Sequence, residues 1–169
     1  MSLSHFYQIP EIELSYKRKA KITEAPKISK SAEAYRLLMD QWDENKIDFV
    51  EQAKLLLLNR ANRVIGISNI STGGGAGTFV DTRLIFVAAL KANASSIILA
   101  HNHPSGNLAP SSFDSAMTKR IRDAGKLLEI ELLDHLIIAS EGYYSFDEEL
   151  AYQRVERFGT ISYEVMMPF

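Results

Sequence analysis

A mixed α/β sandwich, with one central and mainly antiparallel sheet flanked by helices, is the fold class this sequence predicts. Three observations carry the prediction. Two short apolar runs, Leu55-Leu56-Leu57-Leu58 and Ser96-Ile97-Ile98-Leu99-Ala100, suit strands covered on both faces. The turn-forming residues Asn59-Arg60-Ala61-Asn62 sit between the first run and residues 64–70, which predicts a hairpin. Residues 112–128 place Phe113, Met117, Ile121, Ala124 and Leu128 on one helical face. Strands, hairpins and helices that interleave in this way fit one sheet flanked by helices.

The elements follow in order. Residues 12–22 read as a strand that Pro26 ends. Ser31 can cap a helix over about 32–44, whose apolar stripe is Tyr35, Leu38, Met39 and Trp42. The hairpin of 55–70 comes next. Ser71-Thr72-Gly73-Gly74-Gly75-Ala76-Gly77 is a flexible loop, and it lacks the Gly-Lys-Ser/Thr ending that a phosphate loop needs. Asp81 or Thr82 can cap a helix reaching about Ala92, rich in Leu, Ile, Phe and Ala and so expected to be largely buried. The 96–100 strand, the 112–128 helix, a strand over 130–138 and a short strand over 143–146 complete the pattern. Residues 1–44 form a strand-helix extension, 45–150 the main domain and 151–169 a tail.

Composition narrows the function. A chain of 169 residues, 46% apolar and 24% charged, has the balance of one soluble globular domain. It has no cysteine, which excludes disulfides, thiolate metal sites and a cysteine nucleophile. No apolar run reaches the roughly 18–20 residues of a membrane span, and the first residues lack the regions of a signal peptide, so a cytoplasmic location is expected. A net charge of −2 lacks the basic surplus of a dedicated DNA binder. One local excess, Lys17, Arg18, Lys19, Lys21, Lys27 and Lys30 against Glu24, reads as a solvated strand edge, with a nucleic-acid patch as the alternative. An exposed hairpin could also pair with a second copy in a homodimer.

The chemistry concentrates in His101-Asn102-His103-Pro104-Ser105-Gly106 and the following Ser111 and Asp114. On an extended backbone His101 and His103 lie on one face and can reach one ion. Pro104 keeps His103 extended, Gly106 lets the chain turn, and Pro110 precedes a helix whose first turn holds Asp114. Two imidazoles and a carboxylate, with one position left open, make a catalytic zinc set. Ser111-Ser112-Phe113-Asp114 also reads as a capping box, so the residues leave Asp114 with two candidate roles. Asn102 points opposite to its flanking histidines and reads as a loop-ordering residue. His135, in a strand and on the face of Leu133 and Ile137, reads as a partnered core histidine, with a contact to the site as the alternative. Ser105 reads as a turn residue, and His5 carries no role.

The central stretch resembles the JAMM (MPN-plus) metalloprotease motif, His-x-His-x(10)-Asp with a serine three before the aspartate. The wider context, from Ala94-Ser95-Ser96 through His103-Pro104-Ser105-Gly106, Leu133-Asp134-His135-Leu136-Ile137-Ile138 and Tyr144-Ser145-Phe146, is similar to the RadC-like branch over residues 45–150. The resemblance implies a cytidine deaminase-like (JAMM) fold. It implies a zinc-dependent peptidase or isopeptidase with His101, His103 and Asp114 on zinc, and a peptide or protein substrate. It implies that Ser111 donates to the oxyanion. By its spacing ahead of Asn59 it selects Glu51 as general base, whereas the residues alone leave Glu44, Asp48 and Glu51 undistinguished. The family name implies, as an alternative, a DNA repair-associated accessory module that binds nucleic acid. Two departures stand out. The family's His-Pro-Arg is here Val80-Asp81-Thr82-Arg83, with only the arginine kept, and the opening is strand-helix where longer members carry helix-hairpin-helix character.

Overall fold

The computed structural model describes residues 21–73, 80–157 and 160–166. Its helices are α1 (Ser31–Met39), α2 (Glu44–Ile47), α3 (Thr82–Lys91) and α4 (Ser112–Leu128). Its strands are β1 (Gln52–Leu58), β2 (Val64–Thr72), β3 (Ser96–Asn102), β4 (Glu131–Ala139), β5 (Gly142–Ser145), β6 (Leu150–Arg157) and β7 (Thr160–Val165). The strands form one sheet in the order β2-β1-β3-β4-β5-β6-β7, and only the β3–β4 pair is parallel. A mixed α/β architecture with a mainly antiparallel sheet is therefore present.

The two leading apolar runs are neighbours in the sheet, because both are buried on both faces. Leu55 and Leu57 of β1 join Ile97 and Leu99 of β3 against Ile85, Phe86 and Ala89 of α3 and Met117 and Ile121 of α4. Leu56 and Leu58 join Ile98 and Ala100 on the opposite face, against Ala34, Tyr35 and Leu38 of α1. The hairpin between β1 and β2 closes as its residues dictate. The Asn59 side chain accepts from the N–H groups of Ala61 and Arg63, at 2.9 and 3.0 Å, and Asn62 takes a φ of 55°.

Several expectations need correction. Ser31 begins α1 but does not cap it; its hydroxyl donates instead to the Asp134 carboxylate at 2.8 Å. The helix ends at Met39, so Trp42 reaches the core from the turn beyond it. The α3 helix is capped by Asp81 but is not largely buried: Leu84, Val87 and Leu90 are exposed. Phe113 and Leu128 on the expected inner face of α4 are exposed too. Leu133 does not share a face with His135. The ladder skips one residue there, pairing Ile97 with Leu132 and Ile98 with Asp134. That bulge turns Leu133 and Asp134 toward α1 and His135 toward α4.

Of the strand expected over 12–22, residues 12–20 lie outside the described residues, and Ile22–Glu24 is a 3-10 helix. Within the glycine-rich loop, residues 74–79 also lie outside them. Among the basic residues, Lys17, Arg18 and Lys19 lie outside, and Lys21 pairs with Glu24 at 3.8 Å. No described helix is long and apolar enough to cross a membrane.

Candidate metal centre

The C-terminal end of β3 delivers His101, the loop after it delivers His103, and the first turn of α4 delivers Asp114. His101 Nε2 lies 3.1 Å from His103 Nε2 and 3.2 Å from Asp114 Oδ1, and His103 Nε2 lies 3.8 Å from Asp114 Oδ2. One ligand atom from each of the three falls within 4.8 Å of the others. Ligands at about 2.0–2.1 Å in a tetrahedron stand roughly 3.3–3.4 Å apart, so the two spacings from His101 fit donors around one small cation, and the His103–Asp114 spacing is wider. His101 and Asp114 are buried, whereas the His103 side chain is 18% exposed, leaving one side of the cluster open to solvent.

Asp114 fills the capping role and still faces the histidines, so the ligand role stays open to it. Its Oδ2 accepts from the Ser111 N–H at 2.8 Å and the Ser111 hydroxyl at 2.6 Å, while its own N–H donates to Ser111 Oγ at 3.1 Å. This is a complete capping box, and it leaves Oδ1 directed at His101. Burial pushes the carboxyl up. Its hydrogen-bonded neighbours outweigh burial and hold it well below the usual carboxylate range.

Proton positions in the rings follow from their partners. His103 Nδ1 faces the Asn107 carbonyl at 2.6 Å, which can only accept, so Nδ1 carries a proton. His101 Nδ1 lies 2.8 Å from His135 Nε2, and His135 Nδ1 lies 2.6 Å from the Thr118 hydroxyl. His135 is fully buried, and burial holds it well below the ordinary histidine value, so its ring is neutral. Sequence reasoning missed Thr118. Its position one helical turn after Asp114 is the signal that places both on one face of α4.

Asn102 does order the preceding loop. Its amide donates to the carbonyls of Ile47, at 2.5 Å, and Val50, at 2.9 Å, and its Oδ1 accepts from the Gln52 N–H at 2.7 Å. These three groups flank Glu51 on both sides. Glu51 lies just before β1, whose Ala53 pairs with His101, so the glutamate sits at the metal end of the sheet. The Glu51 carboxylate is not among the three clustered ligands. A cleft of about 900 Å³ lined by Arg60, Ser96, Arg122 and Lys126 opens at the opposite end of β3.

Family comparison agrees with this geometry. The model of the RadC-like JAB domain matches residues 28–152. A protein from Flavobacterium johnsoniae called UPF0758 is 41% identical over 142 residues, which is 83% of this chain and 61% of that relative. UPF0758 proteins from Alkaliphilus metalliredigens and Thermotoga maritima are 50% and 39% identical over 99 residues, 59% of this chain and 43% and 45% of theirs. The chain thus spans 61% or less of the length of these relatives.

Proposed function

The chain belongs to the RadC-like JAB domain family, and from that premise we propose that it is a zinc-dependent hydrolase of peptide or isopeptide bonds. The observation that supports this most is the meeting of three ligand atoms, His101 Nε2, His103 Nε2 and a carboxylate oxygen of Asp114, which when unprotonated are three lone-pair donors. Such a set repels itself unless a cation lies between, and a nitrogen-nitrogen-oxygen set suits zinc. His101, His103 and Asp114 would hold the ion. Bound there, zinc supplies Lewis acidity that brings the pKa of water toward about 7.

The chain's own residues supply the rest. Glu51 takes a proton from the attacking water and returns it to the leaving amine. Ser111 lends its hydroxyl to the oxyanion of the tetrahedral intermediate. In the structure that hydroxyl rests on Asp114, so it must swing from the carboxylate to the substrate oxygen. Asn102 keeps the Glu51 segment against β3 while this happens.

Metal analysis and zinc titration test the reading. The expected result is one zinc per chain, lost in His101→Ala and kept in Glu51→Gln. Zinc-loaded protein cleaves members of a peptide and isopeptide library, and the Glu51→Gln variant does not. Purified protein that takes up no divalent metal overturns the proposal, as does equal turnover by the Glu51→Gln variant.

A further inference from the structure

The hydrogen bonds behind His101 have a direction. Thr118 Oγ lies 2.7 Å from the Asp114 backbone carbonyl. Two oxygens at that distance need a proton between them, and the carbonyl has none, so the hydroxyl donates to it. The same hydroxyl lies 2.6 Å from His135 Nδ1 and, its one proton being used, must accept there. His135 Nδ1 therefore carries a proton, and because a ring with no exposed surface is kept uncharged by the cost of burying an unpaired charge, His135 Nε2 is an acceptor. Across 2.8 Å it accepts from His101 Nδ1–H. Three bonds thus run from the backbone of one candidate ligand to the imidazole of another, through two buried side chains that are not ligands. Phe146, stacked on the His135 ring with centroids 4.8 Å apart, fixes its plane.

We propose that Thr118 and His135 are positioning residues that hold His101 in the Nδ1–H tautomer and so aim its Nε2 lone pair at a divalent cation. The proposal rests on the reading of His101 as a metal ligand. It explains why a second histidine is buried beside the first with no carboxylate partner. A carboxylate there would add a negative charge behind the site, whereas a neutral ring whose one proton is committed to Thr118 dictates the tautomer without adding charge. It also ties the first turn of α4 to β3 and β4, so that two ligands from different elements are set by one chain of contacts.

The test uses zinc titration of the full chain and two-bond proton–nitrogen NMR of its histidines in the metal-free state. Thr118→Val removes the hydroxyl at nearly constant shape, Thr118→Ser restores it, and His135→Phe removes the acceptor. Circular dichroism checks that each variant folds. The expected result is a loss of zinc affinity of tenfold or more in Thr118→Val and His135→Phe, in the range typical of groups behind metal ligands, with Thr118→Ser close to the parent. The metal-free parent shows His101 as the Nδ1–H tautomer, and Thr118→Val loses that preference. A loss under tenfold in the folded Thr118→Val variant overturns the inference, as does a parent His101 protonated on Nε2 alone. A parent that binds no zinc sinks the hydrolase reading instead, and the tautomer measurement still decides this one.

Discussion

Replacing Asn102 by alanine should loosen the segment that carries Glu51 while leaving the metal ligands in place. The side chain is fully buried and makes three hydrogen bonds, to Ile47 O, Val50 O and Gln52 N. The Ile47 bond is buried, so its carbonyl would be left without water; such an orphan costs about 1–3 kcal/mol. The other two bonds are partly exposed and can be rehydrated, so each contributes about 0.5–1.5 kcal/mol. Together the loss should be about 4 kcal/mol. For a chain of this size that lowers Tm by roughly 8–16 °C. Urea and thermal unfolding give the energy, and hydrogen exchange at the Gln52 amide gives the location. Zinc stoichiometry should not change, because Asn102 faces away from its neighbours His101 and His103. A loss below 1 kcal/mol, or a Gln52 amide as protected as before, would refute the reasoning.

Two further perturbations probe the frame around the site. A Cβ on Gly125 would sit 2.3 Å from the backbone oxygen of Ile130, so Gly125→Ala must push α4 away from the start of β4. Overpacking of this kind costs about 1–3 kcal/mol or more and outweighs the roughly 1 kcal/mol that alanine gains in helix propensity; a Gly125→Ala variant more stable than the parent in urea would contradict the close contact. Asp134 gives a pH signature. Burial raises its carboxyl above the ordinary value despite bonds from Ser31, Ser145, Asp147 and His135. The folded chain therefore holds that proton to higher pH than the unfolded chain. Its contribution is fully present in acid and declines as pH rises from about 4 through the raised value, by at most about 1.4 kcal/mol per pH unit. In Asp134→Asn that decline should vanish; a stability difference between parent and variant that stays flat from pH 4 upward would count against it.

The candidate ligand cluster was legible because its geometry is local. A buried strand ending in His101, a proline that keeps His103 extended and a helix cap at Ser111 fix three directions within one stretch of chain, 101–114. The two-sided strands were legible for the same reason: six consecutive buried residues in β1 and seven in β3 leave no solvent face to alternate with. The helix faces were less legible. Apolar content predicted that α3 would be largely buried, yet the sheet covers only the side of Ile85, Phe86 and Ala89. Composition counts residues, whereas burial depends on which direction a partner comes from.

What the sequence determined by itself is the chemistry of the candidate metal centre and the strands that surround it, since both depend on neighbours along the chain. What the tertiary structure decided is where His135, Thr118, Asn102 and Ser31 point. One residue skipped at Leu133 exchanges the two sides of β4, sending Asp134 to Ser31 and His135 to His101. A strand has a side-chain period of two, so its register decides which face every side chain takes, and that register is set by the neighbouring strand.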